Sequence, residues 1–434
     1  MWESSMNIIM GKKRKISRLM ILIFLTMVLM ISLQVPSIKS DQTEEKKAWT
    51  ALYYIDADTS NPWWNIFINM DVLQDQFMYR KQLKSDDDLN ILVLQDRLRG
   101  PAILSYMDEN YQQIVLEDLG EMNMGDPQTV EDFIKYGKEH YPADRYQLCF
   151  WGHANAWYGL CPDDSNGGDA LTSEECQQAL NNAGGVDLLC FIGCCQMGSV
   201  EAVYELRDCC DVYVSSESSG NGNDWYGMID DMCNVLNNQT TISTLDIGEQ
   251  IVTLISNNPN EFSDTMTISA VRTDTLGDLI ESFDKLCFFL NESDNQSYRH
   301  LLKARNQTKQ FPFIRGSVLL DFSDLINQYL MIETNESIRD LLKDIQTNLS
   351  KSIIAEDHGS KQNNSNGLSL FYSKNDMLKT YSNYGLDFTE NTHWDELLIY
   401  HKQKTKSKEK SVLSILSHDS IFSSFFHLLR QRIE

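Results

Sequence analysis

The sequence predicts an α/β fold of three layers, a mainly parallel sheet with helices on both faces, followed by a more helical C-terminal half. Three observations carry this. Short apolar runs without helical periodicity alternate with amphipathic helical segments between residues 48 and 236, the pattern of strands buried on both faces and linked by helices. Right-handed crossovers then place successive strand ends on one edge of the sheet. Beyond residue 273 the helical period dominates, and 434 residues suffice for one large α/β domain or two domains.

The chain opens on a targeting segment, a signal peptide or signal anchor over residues 1–40. Lys12, Lys13, Arg14, Lys15 and Arg18 precede the apolar run Leu19–Leu33, the layout of an export signal. The run is shorter than the ~20 apolar residues preferred for a membrane span, so the bulk is expected outside the cytoplasm, with membrane anchoring as the alternative. A catalytic α/β domain is assigned to residues 41–256. Its strands are Trp49–Ile55, Leu89–Leu94, Tyr146–Trp151, Leu188–Ile192 and Asp211–Ser216. Its helices are Val130–Glu139, Thr172–Asn182, Met197–Leu206 and one from about Tyr226 to Leu236. After a polar break at Asn257–Ser263, residues 257–400 form either the far side of the same sheet or an accessory domain. This part reads as helices Thr273–Leu290, Ser297–Lys309, Phe322–Ile332 and Ile338–Leu349, with strands Ser317–Asp321 and Leu368–Tyr372. Residues 401–434 are a lysine-rich linker and an amphipathic helix. His418 and Asp419 interrupt its apolar run, which suits docking or an interfacial position better than a span.

A net charge of −25 argues against nucleic acid as a partner, because phosphate binding needs a basic face. Ten cysteines in an exported context permit disulfides whose pairing sequence does not choose. With no C-x-x-C pair, zinc is the weaker reading. Asn238, Asn291, Asn295, Asn306, Asn335, Asn348 and Asn363 head Asn-x-Ser/Thr triplets.

The chemistry concentrates at two strand ends. Leu188–Ile192 breaks at Gly193 into Cys194-Cys195 and then a helix, and a thiol at a helix N-terminus gains thiolate character. Tyr146–Trp151 ends in Gly152-His153-Ala154. Adjacent parallel strands would bring His153 to a nucleophilic cysteine, which needs such a base.

These residues also carry a resemblance. YPADRYQLCFWGHANAW, GGDALTSEEC, GCCQMGSVEAVYELRDCCDVYVSSE and NDWYG, between Tyr141 and Tyr226, resemble the clostripain family of cysteine peptidases, which share the caspase-like fold. AWTALYYIDAD near the start and NGLSLFY with HWDELLIY near the end extend the likeness over most of residues 48–400. The resemblance implies an endopeptidase acting on peptides or proteins, with Cys195 as nucleophile and His153 as catalytic histidine. Cys194 is the competing thiol. The register, with Met197 and Glu201 following the nucleophile, selects Cys195. Backbone N–H groups of Ala154 and Cys195 are the expected oxyanion donors. Two departures stand out. Relatives carry glycine where this chain has Ala154. They also carry an aspartate for a basic P1 side chain where it has Gly193, so Glu217 or Asp224 would have to supply that acid. From Ala154 to Cys194 there is no Lys or Arg, so family-style self-cleavage at a basic residue is not expected there. No cofactor is required for the chemistry. The family's use of calcium points to CPDDSNGGDA, with Asp163, Asp164, Asn166 and Asp169 as oxygen donors. The alternatives are a catalytically impaired homologue that binds peptides and a disulfide-stapled structural protein.

Overall fold

The computed structural model describes residues 46–59, 83–219, 232–233, 235–237, 242–258, 262–292, 295–400 and 402–403. The targeting segment, the loop carrying Asp224 and the C-terminal helix lie outside the described residues. The described residues from Lys47 onward form one compact unit.

In chain order the first half runs β1 (Lys47–Ala57), β2 (Leu89–Arg97), β3 (Ala102–Met107), β4 (Gln113–Gly120), α1 (Pro127–His140) and β5 (Ala143–Trp151). The hairpin β6 (Leu160–Asp163) and β7 (Asp169–Leu171) follows, then α2 (Ser173–Asn182), β8 (Leu188–Ile192), α3 (Val200–Glu205), β9 (Val212–Ser215) and α4 (Thr244–Ser256). The second half continues with β10 (Thr267–Arg272), α5 (Leu276–Glu292), α6 (Asn295–Gln307), β11 (Gln310–Pro312), β12 (Val318–Asp321), α7 (Phe322–Ile332) and α8 (Glu336–Ser352). It ends with β13 (Ile353–His358), β14 (Ser369–Tyr372), α9 (Met377–Ser382) and α10 (Asp387–Glu390).

Nine strands form one sheet in the order β13-β10-β9-β8-β5-β1-β2-β3-β4. From β9 to β2 every pairing is parallel. Antiparallel strands extend it at both ends. The parallel part is buried on both faces because each strand feeds two cores at period two. Along β1, Trp49, Ala51, Tyr53 and Ile55 enter one core, while Leu52 and Tyr54 enter the other. Helix α4 covers the first face through Ile247, Ile251 and Ile255, and α1 covers the second through Val130, Phe133 and Ile134.

The second half is joined to the first. β10 pairs with β9 and β13 with β10, so residues from beyond 260 complete the sheet. A separate three-stranded sheet, β11-β12-β14, packs beside it. Strands β3, β4, β10 and β13 were not among the expected elements. β4 is exposed along nearly its whole length, with Ile114 at 46% and Val115 at 57%, so it shows no alternation. Helix α2 begins where expected because Thr172 and Glu175 form a reciprocal capping box.

Candidate active site

Strands β5 and β8 run in register, with Trp151 opposite Ile192. Parallel neighbours lie about 4.8 Å apart, so Gly152-His153 and Gly193-Cys194-Cys195 leave the sheet side by side. The two loops are clipped together where the Ala156 N–H donates to the Cys195 carbonyl at 3.3 Å. The structure thus brings the two expected catalytic residues to one sheet edge.

The turn after β8 separates the adjacent cysteines. Gly193 has φ 72° and Gln196 has φ 62°, so left-handed residues bracket the pair and reverse the chain sharply. Cys194 points inward. It is fully buried, its Sγ lies 3.7 Å from the Phe150 carbonyl, and burial holds its thiol well above the usual range. Cys195 faces the other way and is half-buried, while the other nine cysteines are buried. Gln196 accepts its strained backbone because Nε2 donates to the Pro312 carbonyl at 2.8 Å and its N–H to Ser218 O at 3.2 Å. None of the ten cysteines is joined in a disulfide.

One expectation fails here. The helix starts at Val200, with Ser199 as N-cap, rather than at Met197. Cys195 sits in the turn before it, beyond the first helical turn over which the dipole acts. The helix terminus therefore does not explain thiol activation.

His153 is largely enclosed. Burial lowers its imidazole pKa, and the Asp164 carboxylate partly restores it, so the ring is a neutral base at neutral pH. Its carbonyl accepts from the Cys161 N–H at 2.9 Å, and Asn155 N–H donates to Gly159 O at 2.9 Å. These two bonds flank Ala154, which pairs with Leu160 in the non-hydrogen-bonded register. The Ala154 N–H is thereby directed away from this hairpin. Ala154 is not among the residues with positive φ, so its Cβ costs no glycine-only conformation.

The remaining expected site residues separate. Gly193 adjoins Cys194 but offers no side chain. Glu217 is 1% exposed and turned inward: its Oε2 accepts from the Gly367 N–H at 2.8 Å, beside Asp321. It anchors the C-terminal segment and presents no open carboxylate. Asp224 lies outside the described residues.

Glu217 belongs to a set that sequence reasoning did not anticipate. Glu201 Oε1 accepts from Phe371 N–H at 2.8 Å and from Tyr381 OH at 3.1 Å. Glu205 Oε2 accepts from Asp387 N–H at 2.9 Å. Three acids downstream of Cys195 thus hold residues 367–387 against the turn that carries Cys195. Trp157, fully buried, seals the same seam among Phe313, Phe371, Tyr381 and Tyr384.

The acidic loop expected to offer calcium ligands contributes one residue, Asp163, to a larger group. Carboxylate oxygens of Asp58, Asp96, Glu121 and Asp163 lie within 4.8 Å of one another. Asp169 instead accepts from Asn123 Nδ2 at 2.7 Å. Among the described residues this group, with no cysteine or histidine, is the set that could hold a metal ion.

Cys195 and His153 thus stand just past neighbouring parallel strand ends at one edge of a helix-covered sheet. The model of the clostripain family matches residues 54–402, and the chain belongs to that family of cysteine-type peptidases. Clostripain of Hathewaya histolytica is 27% identical over 206 residues, 39% of this chain. That match spans 38% of the relative's length. The fold matches the secreted C11 cysteine protease of Bacteroides thetaiotaomicron solved with an irreversible peptide inhibitor, at TM-score 0.60 and 18% identity, over 80% of this chain and 99% of that one. It also matches the inactive zymogen C11 protease of Parabacteroides distasonis, at TM-score 0.59 and 19% identity, over 80% of this chain and 98% of that one.

Proposed function

We propose that this chain is an exported endopeptidase acting on peptides or proteins, with Cys195 as nucleophile and His153 as general base and acid. The observation that carries this is the split of the cysteine pair: Cys194 is sealed in the core, and Cys195 is turned out beside the His153 strand end.

Cys195 Sγ attacks the peptide carbonyl carbon, and its proton passes to His153, which burial keeps neutral and ready to accept it. The oxyanion is held by the Ala154 and Cys195 N–H groups. The C–N bond breaks as His153 protonates the leaving amine, giving a thioester. Water then attacks that thioester, delivering a proton to His153, and the thiol reforms. This chemistry needs no cofactor. Gly193 supplies no acid and Glu217 is spent on Gly367, so a basic P1 preference rests on Asp224. Export rests on the basic and apolar residues of segment 1–40.

The test is a P1-varied fluorogenic peptide library applied to residues 41–434. Cys195→Ala and His153→Ala should each lower kcat/KM by about 10⁴-fold or more, and Asp224→Asn should remove any preference for Arg or Lys. Full turnover in Cys195→Ala would end the assignment. A wild-type protein that binds peptides without cleaving them would make the chain a peptide-binding homologue.

A further inference from the structure

The turn that carries Cys195 is held from two sides. On one side Gln196 N–H donates to the Ser218 carbonyl at 3.2 Å, and Gly198 N–H donates to the Ser216 carbonyl at 2.8 Å. On the other, the Gly198 carbonyl accepts from Ser369 N–H at 2.9 Å. Glu217 lies between the first two acceptors. Its side chain crosses to the second segment, where Oε2 accepts from Gly367 N–H at 2.8 Å. One buried side chain therefore links both supports of the Cys195 turn.

That side chain meets another acid. Glu217 and Asp321 are both buried, and their carboxyl groups touch. Two carboxyl groups in contact away from water do not both ionise, so the pair keeps a proton. The surrounding donors decide which acid holds it. Asp321 Oδ1 accepts from Asp324 N–H at 2.7 Å and from Asn366 Nδ2 at 3.0 Å, and its Oδ2 accepts from Asn366 N–H. Three donors favour the charged form at Asp321. Glu217 has the Gly367 N–H on Oε2, while its Oε1 accepts from no donor among the described residues. An oxygen without a donor, set against a carboxylate, is where a hydroxyl makes a bond and a lone pair does not. The neighbouring charges act in the same direction. Glu356 of β13 adds a negative charge near Glu217, and its own Oε2 lies 3.4 Å from His358 Nδ1. Lys309 is the cation near the pair, but its Nζ donates to the Lys361 carbonyl at 3.3 Å. Asp324 is occupied by Lys309 N–H at 2.7 Å, and β10 offers the Thr267 hydroxyl, which takes Glu217 N–H at 2.9 Å.

We infer that Glu217 is a positioning residue for Cys195, holding a proton on Oε1 that it donates to Asp321 while Oε2 holds the Gly367 N–H. Its effect on turnover rests on the peptidase reading; the proton does not. Glu217 touches no substrate. It acts by fixing residues 216–218 to residues 366–367, and through them the turn that aims Cys195.

The experiment compares wild type with Glu217→Ala, Glu217→Gln and Asp321→Asn. Glutamine imitates the protonated acid, since its amide donates to Asp321 and its oxygen accepts from Gly367. Glu217→Ala should lower kcat about tenfold or more with KM little changed, as a misaimed nucleophile does. It should slow alkylation of Cys195 by iodoacetamide to a similar degree, the other nine cysteines being buried. Glu217→Gln should recover all but about twofold of both losses. Asp321→Asn should not be tolerated in the same way, because its amide would meet the Asn366 donors. The reverse pattern, Asp321→Asn active and Glu217→Gln impaired, would put the proton on Asp321 and overturn the assignment. Unchanged kcat and alkylation in Glu217→Ala would overturn the positioning role. The infrared difference spectrum of wild type against Glu217→Gln at pH 7 reads the proton directly, whether or not the alanine variant folds. It should show the loss of one carboxylic-acid band, and loss of a carboxylate band instead would overturn the proposal. If wild type cleaves no peptide, the infrared and alkylation readouts remain, so failure of the peptidase reading is told apart from failure of this one.

Discussion

Two groups of acids flank the sheet edge, and they are buried to the same degree. Glu201, Glu205 and Glu217 are each at most 1% exposed, and so are Asp58, Asp96 and Asp163. Their surroundings differ. Each glutamate of the first group accepts from a backbone N–H of the C-terminal segment, at Phe371, Asp387 or Gly367. The aspartates of the second group face one another and the Glu121 carboxylate, with carboxylate oxygens within 4.8 Å. A buried carboxylate that meets an N–H works as a peg between chain segments. One that also faces other carboxylates is held less tightly in its charged form, because like charges repel. The same residue class thus builds a seam on one side and a cluster of like charges on the other.

The comparison breaks most visibly at Glu201. Glu201→Ala removes the acceptor from the Phe371 N–H and the Tyr381 hydroxyl inside a closed core, leaving two donors unpaired. The expected loss is about 3–5 kcal/mol in urea unfolding. A loss under about 1 kcal/mol would mean that the glutamates are not pegs.

Glu201→Gln sharpens the point through pH. Burial raises the Glu201 carboxyl from 4.5 to about 7 in the folded state. Between those values the native protein holds a proton that the unfolded chain has released, so stability falls as pH rises through this window and levels above it. Glutamine keeps an oxygen for Phe371 and carries no charge. The variant should show a flatter profile, gaining up to about 3 kcal/mol over wild type at pH 8 and nothing at pH 4. Parallel profiles would place the titration elsewhere.

Much of this architecture was legible in the sequence, for a definite reason. β1, β5 and β8 are continuous apolar runs because both faces are buried, and His153 and Cys195 stand just past two of those runs. The registers needed for a dyad followed from strand ends alone. Other parts gave no such sign. β10 is carried by Thr267 and Ser269, polar residues whose hydroxyls are paired inside, Ser269 with the Gly367 carbonyl at 2.7 Å. The helix after Cys195 was placed early because Met197 continues the apolar period into a turn, while the stop signal, the Ser199 cap, lies within that run. Glu217 looked like a loop acid, since nothing local shows that Gly367, 150 positions away, supplies its donor. The carboxylate group was equally hidden: its members range from residue 58 to residue 163 and meet only in the fold.

Asp58→Asn tests the other side of the comparison, with the opposite sign. Burial and the Asp163 carboxylate push the Asp58 carboxyl upward, so removing its charge relieves desolvation and repulsion, and the variant should be about 1 kcal/mol more stable than wild type at neutral pH in thermal unfolding. Destabilisation of the variant by a similar amount would show that the hydrogen bonds to Asp58 outweigh its repulsion, and the contrast between the two groups would lose its basis.

The smallest effect is expected between the two groups, at Ala154. The residue departs from the glycine usual in the family, yet its backbone needs no left-handed conformation, and what the proposed oxyanion contact requires is its N–H. Ala154→Gly keeps that N–H and removes only a methyl that is 3% exposed. It should change kcat/KM by no more than about twofold and cost about 0.5–1 kcal/mol through the freer unfolded chain. A large gain in kcat/KM would instead show that the methyl obstructs the substrate. The departure at Ala154 would then be the feature that restrains this peptidase.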